Sequence, residues 1–390
     1  MRFYQEHKIL NTPENFATIV KTFNAFLLYG SKNMKLKIII HCLIFVSVII
    51  LLALFSSHLV PKTDKESAAN IIWDINNIPS DTIDVLILGP STSRYGYNSL
   101  VAWNRYGITT LNCSFGYLSG PIVKNMIIEC LKRQSPKVIL INIDAFLYQN
   151  KGFYKENSST GFTNLSYNVF PELKWSINKL AILMKITKYY ELNAKKFFYF
   201  LFPIFSTQKI SFENILNRNK KLYLVPRYKK FFNKENILID LNVNTLKQYF
   251  KNEIYTEEDL EDLFKFCRKL DIPVLFLGVP QPVILAEFYD IISNKHKLFF
   301  STIKENGFKY INTISYRALN ILNLSYKDTY DGYHLNYWGS EKYTNFIAKI
   351  LVNKYNLQDK RNNPKYYIWN DAAQEYIKYV KENFNIDISL

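Results

Sequence analysis

The stretch DGYHLNYWG, Asp331 to Gly339, sets a histidine three residues after an aspartate in a chain with only five histidines. His7 precedes the one strongly apolar segment, His41 lies inside it and His58 at its far end. His296 and His334 therefore remain for any imidazole chemistry in the rest of the chain. A carboxylate three places before an imidazole reaches Nδ1 if the loop curls back, leaving Nε2 to act as a general base. Such a base needs a hydroxyl to deprotonate, because serine is a poor nucleophile unaided. The candidate is Ser91, in LGPSTSRYG, Leu88 to Gly96. Gly89 lets the backbone turn directly after an apolar run, and Ser91 stands at the entrance of a helix, where backbone N–H groups meet developing negative charge. The pattern is not G-x-S-x-G, so the nucleophile elbow of the α/β-hydrolases does not apply. Alone, such a serine is more often a plain helix cap, and D-x-x-H a plain surface loop. Together, at the two ends of one domain, they form a Ser-His-Asp set.

The elements that must hold these residues follow from hydrophobic patterning. Short apolar runs predict strands at DVLILG (Asp84 to Gly89), TTLNCS (Thr109 to Ser114), KVILINID (Lys137 to Asp144), IPVLFLGVP (Ile272 to Pro280) and FKYINT (Phe308 to Thr313). Helical periodicity separates them, first around Val123 to Arg133. A later helix carries Leu260, Leu263, Phe264, Cys267 and Leu270 on one face, with Thr256 and Asp259 as a capping box. The last helix of the domain spaces Tyr343, Phe346, Ile347, Ile350 and Leu351. Continuous apolar strands joined by helices predict a parallel sheet covered on both faces, a three-layer α/β/α domain. Ligands of such sheets meet the loops at the carboxyl ends of the strands, where Ser91 falls. Residues 150–255 break the rhythm, are rich in Lys and aromatics, and include KKFFYFLFPIF (Lys195 to Phe205). They predict a helical insertion with its own small core, or else an aromatic-basic surface leaning on a membrane. Asp371 to Leu390 repeats Ala373, Tyr376, Val380 and Phe384, predicting an amphipathic helix packed on the domain or a partner.

At 390 residues the chain can bury a large core, and 48% hydrophobic with 16% aromatic residues excludes a disordered or collagen-like protein. A net charge of +16 favours an anionic neighbour, such as lipid headgroups or a charged glycan. Nucleic acid is disfavoured, since no finger, basic-region or RNA-binding signature is present. Ile38 to Phe55 runs eighteen residues without a formal charge. As a helix it rises about 27 Å, against the ~30 Å hydrocarbon core of a bilayer. Lys32, Lys35 and Lys37 crowd its N-terminal edge, whereas Lys62 and Lys65 are mixed with Asp64 and Glu66. The positive-inside bias predicts a cytoplasmic segment 1–36, an uncleaved signal anchor 37–59, an extracytoplasmic domain 60–357 and a helical tail 358–390. Beyond the anchor, Cys113, Cys130 and Cys267 cannot make a disulfide framework, and their spacing fits no zinc site. No metal and no cofactor are expected.

These motifs resemble the SGNH, or GDSL-like, serine hydrolases over about Asp84 to Lys354. The family's first block looks like ILGPS, with Ser91 as nucleophile and Pro90 replacing the usual Asp. Its last block looks like DGYHLNYWG, with His334 and Asp331 completing the triad. The second block resembles LNCSFG, which implies an oxyanion hole from the backbone N–H groups of Ser91 and Gly116, with Gly120 the fallback. The third block departs from the family: INIDAF puts Asp144 near the place of the usual oxyanion Asn. Arg94, one turn past the nucleophile, could contact an anionic glycan or carrier, against the plain reading of a solvated helix face. His296 reads as an exposed residue of a basic helix. The anchor and GPSTSRYGYN look closer to teichoic-acid D-alanyl transfer and alginate acetylation proteins than to secreted lipases. That resemblance implies acyl transfer on an envelope polymer, or on an acylated carrier, beside a membrane-bound O-acyltransferase.

Overall fold

All five apolar runs contain strands in the computed structural model, which describes residues 32–56, 69–116, 118–147, 176–190 and 257–388, with residue 21 and short pieces between 169 and 232. The strands are β1 (Val85–Leu88), β2 (Thr110–Asn112), β3 (Val138–Asn142), β4 (Val274–Leu277) and β5 (Lys309–Ile311). Each is shorter than its apolar run, whose flanking residues form the loops at the strand ends. All neighbours pair in parallel, in the order β2-β1-β3-β4-β5. Every residue of β1 to β4 is buried. Successive side chains point to opposite faces, so helices must cover both. β5 is one of the two edges, with Lys309 and Tyr310 exposed. From β1 the chain moves to β2 on one side and later to β3 on the other. The loops after β1 and β3 therefore diverge and leave a crevice at the carboxyl ends.

The helices in chain order are α1 (Lys32–Ser56), α2 (Ala69–Asn77), α3 (Ser91–Gly96), α4 (Ser99–Tyr106), α5 (Gly120–Leu131), α6 (Asp144–Leu147), α7 (Ile177–Tyr190), α8 (Glu257–Cys267), α9 (Pro282–Glu305), α10 (Tyr316–Leu322), α11 (Tyr337–Tyr355) and α12 (Tyr367–Phe384). They pack in two sets: α11 lies against α3 and α4 with α12 on α4, while α5 gathers α6, α7 and α8. Side-chain caps start several of them. Asn98 accepts from the N–H groups of Leu100 and Val101 at α4, and Asn336 from Gly339 at α11.

The compact unit runs from Leu59 to Leu390 and includes the final helix. Trp369 of α12 packs against Trp103, ring centroids 5.9 Å apart, and Trp103 Nε1 donates to Asn370 Oδ1 at 2.9 Å. Ala373, Tyr376 and Val380 are buried, so α12 spends its apolar stripe on the domain itself. The described parts of 150–255 correct the expectation of a separate small core. Ile182, Leu183 and Ile186 of α7, with Leu224, Val225, Phe231 and Phe232, join the main core. Most of KKFFYFLFPIF, and Thr256 of the expected capping box, lie outside the described residues. His296 is also corrected. It is 3% exposed, because α9 turns it to the same side as Phe299, Phe300 and Ile303. One helical face binds all four.

The other unit, Met1–His58, contains α1. The described side chains of α1 cover only 38–51 of its apolar run, and most stand exposed, Leu43 and Phe45 by 62% and 66%. Among the described residues no helix is long and apolar enough to cross a membrane.

Candidate active site

Ser91 is the first residue of α3, directly after the β1 turn, and is half-buried. Asp331 and His334 stand on a tight loop just before α11. There Thr329 and Leu335 form an isolated antiparallel bridge, and the Tyr330 N–H donates to the His334 carbonyl at 3.1 Å. Gly332 adopts φ +78°, a backbone region open to glycine, and this lets the loop curl back within three residues. The Asp331 side chain is held by its own loop: Oδ1 accepts from the N–H groups of Tyr333 (2.9 Å) and His334 (2.7 Å). Oδ2 lies 2.6 Å from His334 Nδ1, and His334 Nε2 lies 2.8 Å from Ser91 Oγ. A carboxylate facing Nδ1 requires the proton there, so Nε2 is left to accept from the serine hydroxyl. Residues 243 positions apart thus form one hydrogen-bonded chain.

Burial alone would raise the Asp331 carboxyl. The bond and charge of His334 and the two backbone donors outweigh it and hold the group below the usual carboxylate range. Aromatic rings enclose the imidazole. Tyr330 lies parallel to it with centroids 5.4 Å apart, and Tyr95 and Tyr333 meet it edge-on at 5.1 and 4.6 Å. Phe231, from the 150–255 segment, packs 6.1 Å from Tyr95 and brings that segment to the rim of the site.

The β1 turn is held from beneath by polar side chains that the sequence pattern did not single out. Asn142, at the end of β3, donates to Ser93 Oγ at 2.7 Å and to Thr92 Oγ1 at 3.0 Å. Asn112, at the end of β2, donates to the carbonyls of Ser93 and Tyr97, both at 2.9 Å. These two asparagines clamp α3 from neighbouring strands. The only cue in the sequence is that each closes an apolar run. Asn142 also revises the reading of the third block: an amide does stand at this strand end, but its donors hold the nucleophile turn. Gly89 is needed for room, since a Cβ there would sit 2.3 Å from Ser93 Oγ and 2.7 Å from Asn142 Cβ.

Asp144 lies under the same turn, 1% exposed. Its Oδ2 accepts from the Thr92 hydroxyl (2.8 Å) and from the amides of Asn142 and Gln281 (3.3 Å each), while Oδ1 is buried without a hydrogen-bond partner. Burial pushes its carboxyl up to about 6, against those three bonds. Asp144 thus supports the residue next to Ser91 from within the protein. Arg94 corrects the solvated-face reading, being only 9% exposed; burial lowers its pKa while the charge of Asp74 opposes that shift. Gly116 lies half-buried in the loop after β2, which docks on the nucleophile turn where the Phe115 N–H donates to the Gly89 carbonyl at 3.2 Å. Ser91 and Thr92 begin α3, so their N–H groups have no carbonyl one turn earlier in that helix. Gly120 instead begins α5, against Phe146. Among the described residues no three His, Cys, Asp or Glu side chains gather as a metal would require. Comparison with known proteins adds no relative: no family model matches the chain, and no curated protein resembles it significantly.

Proposed function

We propose that this chain is a membrane-anchored, extracytoplasmic serine acyl esterase or O-acyltransferase of the flavodoxin-like, three-layer SGNH type. Its substrates would be acyl groups of a cell-envelope polysaccharide or an acylated carrier. The observation that carries this reading is the unbroken chain Ser91–His334–Asp331 at the carboxyl end of a parallel sheet. His334 Nε2 takes the hydroxyl proton as Ser91 Oγ attacks the acyl carbonyl, and Asp331 stabilises the imidazolium. Backbone N–H groups of Ser91 and Gly116 receive the oxyanion. Collapse expels the donor alcohol with the proton from His334 and leaves the acyl group on Ser91. Water or a sugar hydroxyl, deprotonated by the same imidazole, then takes the acyl group and restores the serine.

The exposed apolar side chains of α1 and the lysines at its start support an anchor with the N-terminus inside. A membrane-bound O-acyltransferase is the partner this placement suits. One observation favours a second reading, a degenerate glycan-binding or assembly subunit: the Asn142 amide is engaged by Thr92 and Ser93 and adds no third oxyanion donor. A fluorophosphonate probe separates the two. The enzyme reading expects labelling at Ser91 that disappears in Ser91→Ala, and ester turnover that falls at least about 10³-fold in both Ser91→Ala and His334→Ala. A wild-type chain that neither labels nor turns over esters sinks the enzyme reading and leaves the binding subunit.

A further inference from the structure

Cys113 and Cys130 are seventeen residues apart in the chain, and their Sγ atoms lie 3.2 Å apart. Both residues are fully buried, at 0% exposure. Cys113 follows β2 directly and its N–H donates to the Ile87 carbonyl at 2.8 Å, while Cys130 sits in the last turn of α5. Both backbones are thus fixed by regular structure, and each thiol points at the other. Burial foremost, then the bond to Cys130, pushes the Cys113 thiol well above its ordinary range, although Arg94 opposes this.

We propose that Cys113 and Cys130 are joined by a disulfide in the mature protein, an inference that rests on the extracytoplasmic placement of the domain. The bond would be made while the chain folds, since the closed domain admits no oxidant. A thiolate of one cysteine attacks a sulfur of an oxidising protein disulfide, releasing that protein's other sulfur as a thiolate. The thiolate of the second cysteine then attacks the mixed disulfide. The pair loses two protons and two electrons, and the oxidant gains both as a dithiol. The bond pins the start of the loop that carries Gly116 to the helix that ends its crossover. This loop docks on the nucleophile turn through the Phe115 N–H to Gly89 O bond. A crosslink therefore holds the proposed oxyanion donor in register with Ser91.

The test uses the full chain extracted from membranes of expressing cells, denatured in N-ethylmaleimide without reductant and mapped by peptide mass. Peptides holding Cys113 and Cys130 are expected as one linked species, with Cys42 and Cys267 alkylated. Reduction under denaturing conditions should free both, and the reduced protein should melt roughly 5 °C lower than the oxidised one. Protease treatment of intact spheroplasts, scored on the same preparation, reads the location separately. Alkylated Cys113 and Cys130 on a protease-accessible domain overturn the disulfide alone. Alkylated thiols on a protected domain overturn the extracytoplasmic reading with it. The measurement is made on the natural sequence, so it does not depend on a cysteine variant folding.

Discussion

Asp144 is a side chain next to the site whose ionisation the fold changes. Its carboxyl moves from an ordinary 3.8 to about 6 because burial penalises the charged form more than Thr92, Asn142 and Gln281 stabilise it. Between those two values the folded state holds the proton that the unfolded chain has released. The linkage sign is therefore fixed: this group's contribution is full below about pH 4 and is lost as pH rises to about 6. At about 1.4 kcal/mol per pH unit, the loss is on the order of 3 kcal/mol. Asp144→Asn removes the titration and keeps a side chain of nearly the same shape. Denaturant unfolding from pH 4 to 7 should show the variant gaining on the natural protein by up to that amount. Parallel curves for the two proteins would mean that Asp144 titrates in its ordinary range. Asp331 has the opposite sign, since its lowered carboxyl contributes above its unfolded pKa and loses that contribution in acid.

At the scale of elements, the nucleophile turn is a short helix clamped between strands, and Gly89 is the point where the clamp has no slack. Gly89→Ala would drive a methyl group into Ser93 Oγ and Asn142 Cβ, so the start of α3 or the end of β3 must shift. A cost of about 1–3 kcal/mol is expected from such overpacking. Probe labelling at Ser91 should fall more than about tenfold, because a displacement near 1 Å is enough to cost that much. Unchanged labelling would show that α3 is not held in place by this contact. Ser91 was legible because it follows the first apolar run, and His334 because it is one of two histidines beyond the apolar segment and stands three residues after Asp331, just before the last helix of the domain. All five strands were legible because each lies inside a short apolar run. Asn112, Asn142 and Gln281 were not, because their roles depend on which way a strand-end side chain points, and hydropathy does not encode that. His296 was misread because a basic neighbourhood, NKHKLF, hides an apolar spacing that runs through Phe299, Phe300 and Ile303. The 150–255 segment looked autonomous because its periodicity differs. Its described parts nevertheless complete the main core and reach Tyr95.

At the scale of the whole molecule, the chain divides into two compact units, Met1–His58 and Leu59–Leu390. Among its described residues, the unit from Leu59 to Leu390 buries its own core, down to Trp369 and Tyr376 of the final helix. The unit Met1–His58 presents its apolar side chains outward along α1. Of the eighteen residues from Ile38 to Phe55, fourteen are Leu, Ile, Val or Phe. At about −0.3 to −0.6 kcal/mol each near the centre of a spanning helix, their insertion is favourable by several kcal/mol, and no formal charge opposes it. The full chain should therefore stay with membranes through an alkaline carbonate wash and enter the detergent phase on partition. Residues 60–390 should remain aqueous and unfold in denaturant as one transition. High salt separates insertion from surface attraction, because a net charge of +16 would also hold the chain on anionic lipid. Release of the full chain by salt alone would reduce α1 to an electrostatic contact and remove the anchor. Retention in salt, with loss only in detergent, would support α1 as the anchor of the proposed enzyme.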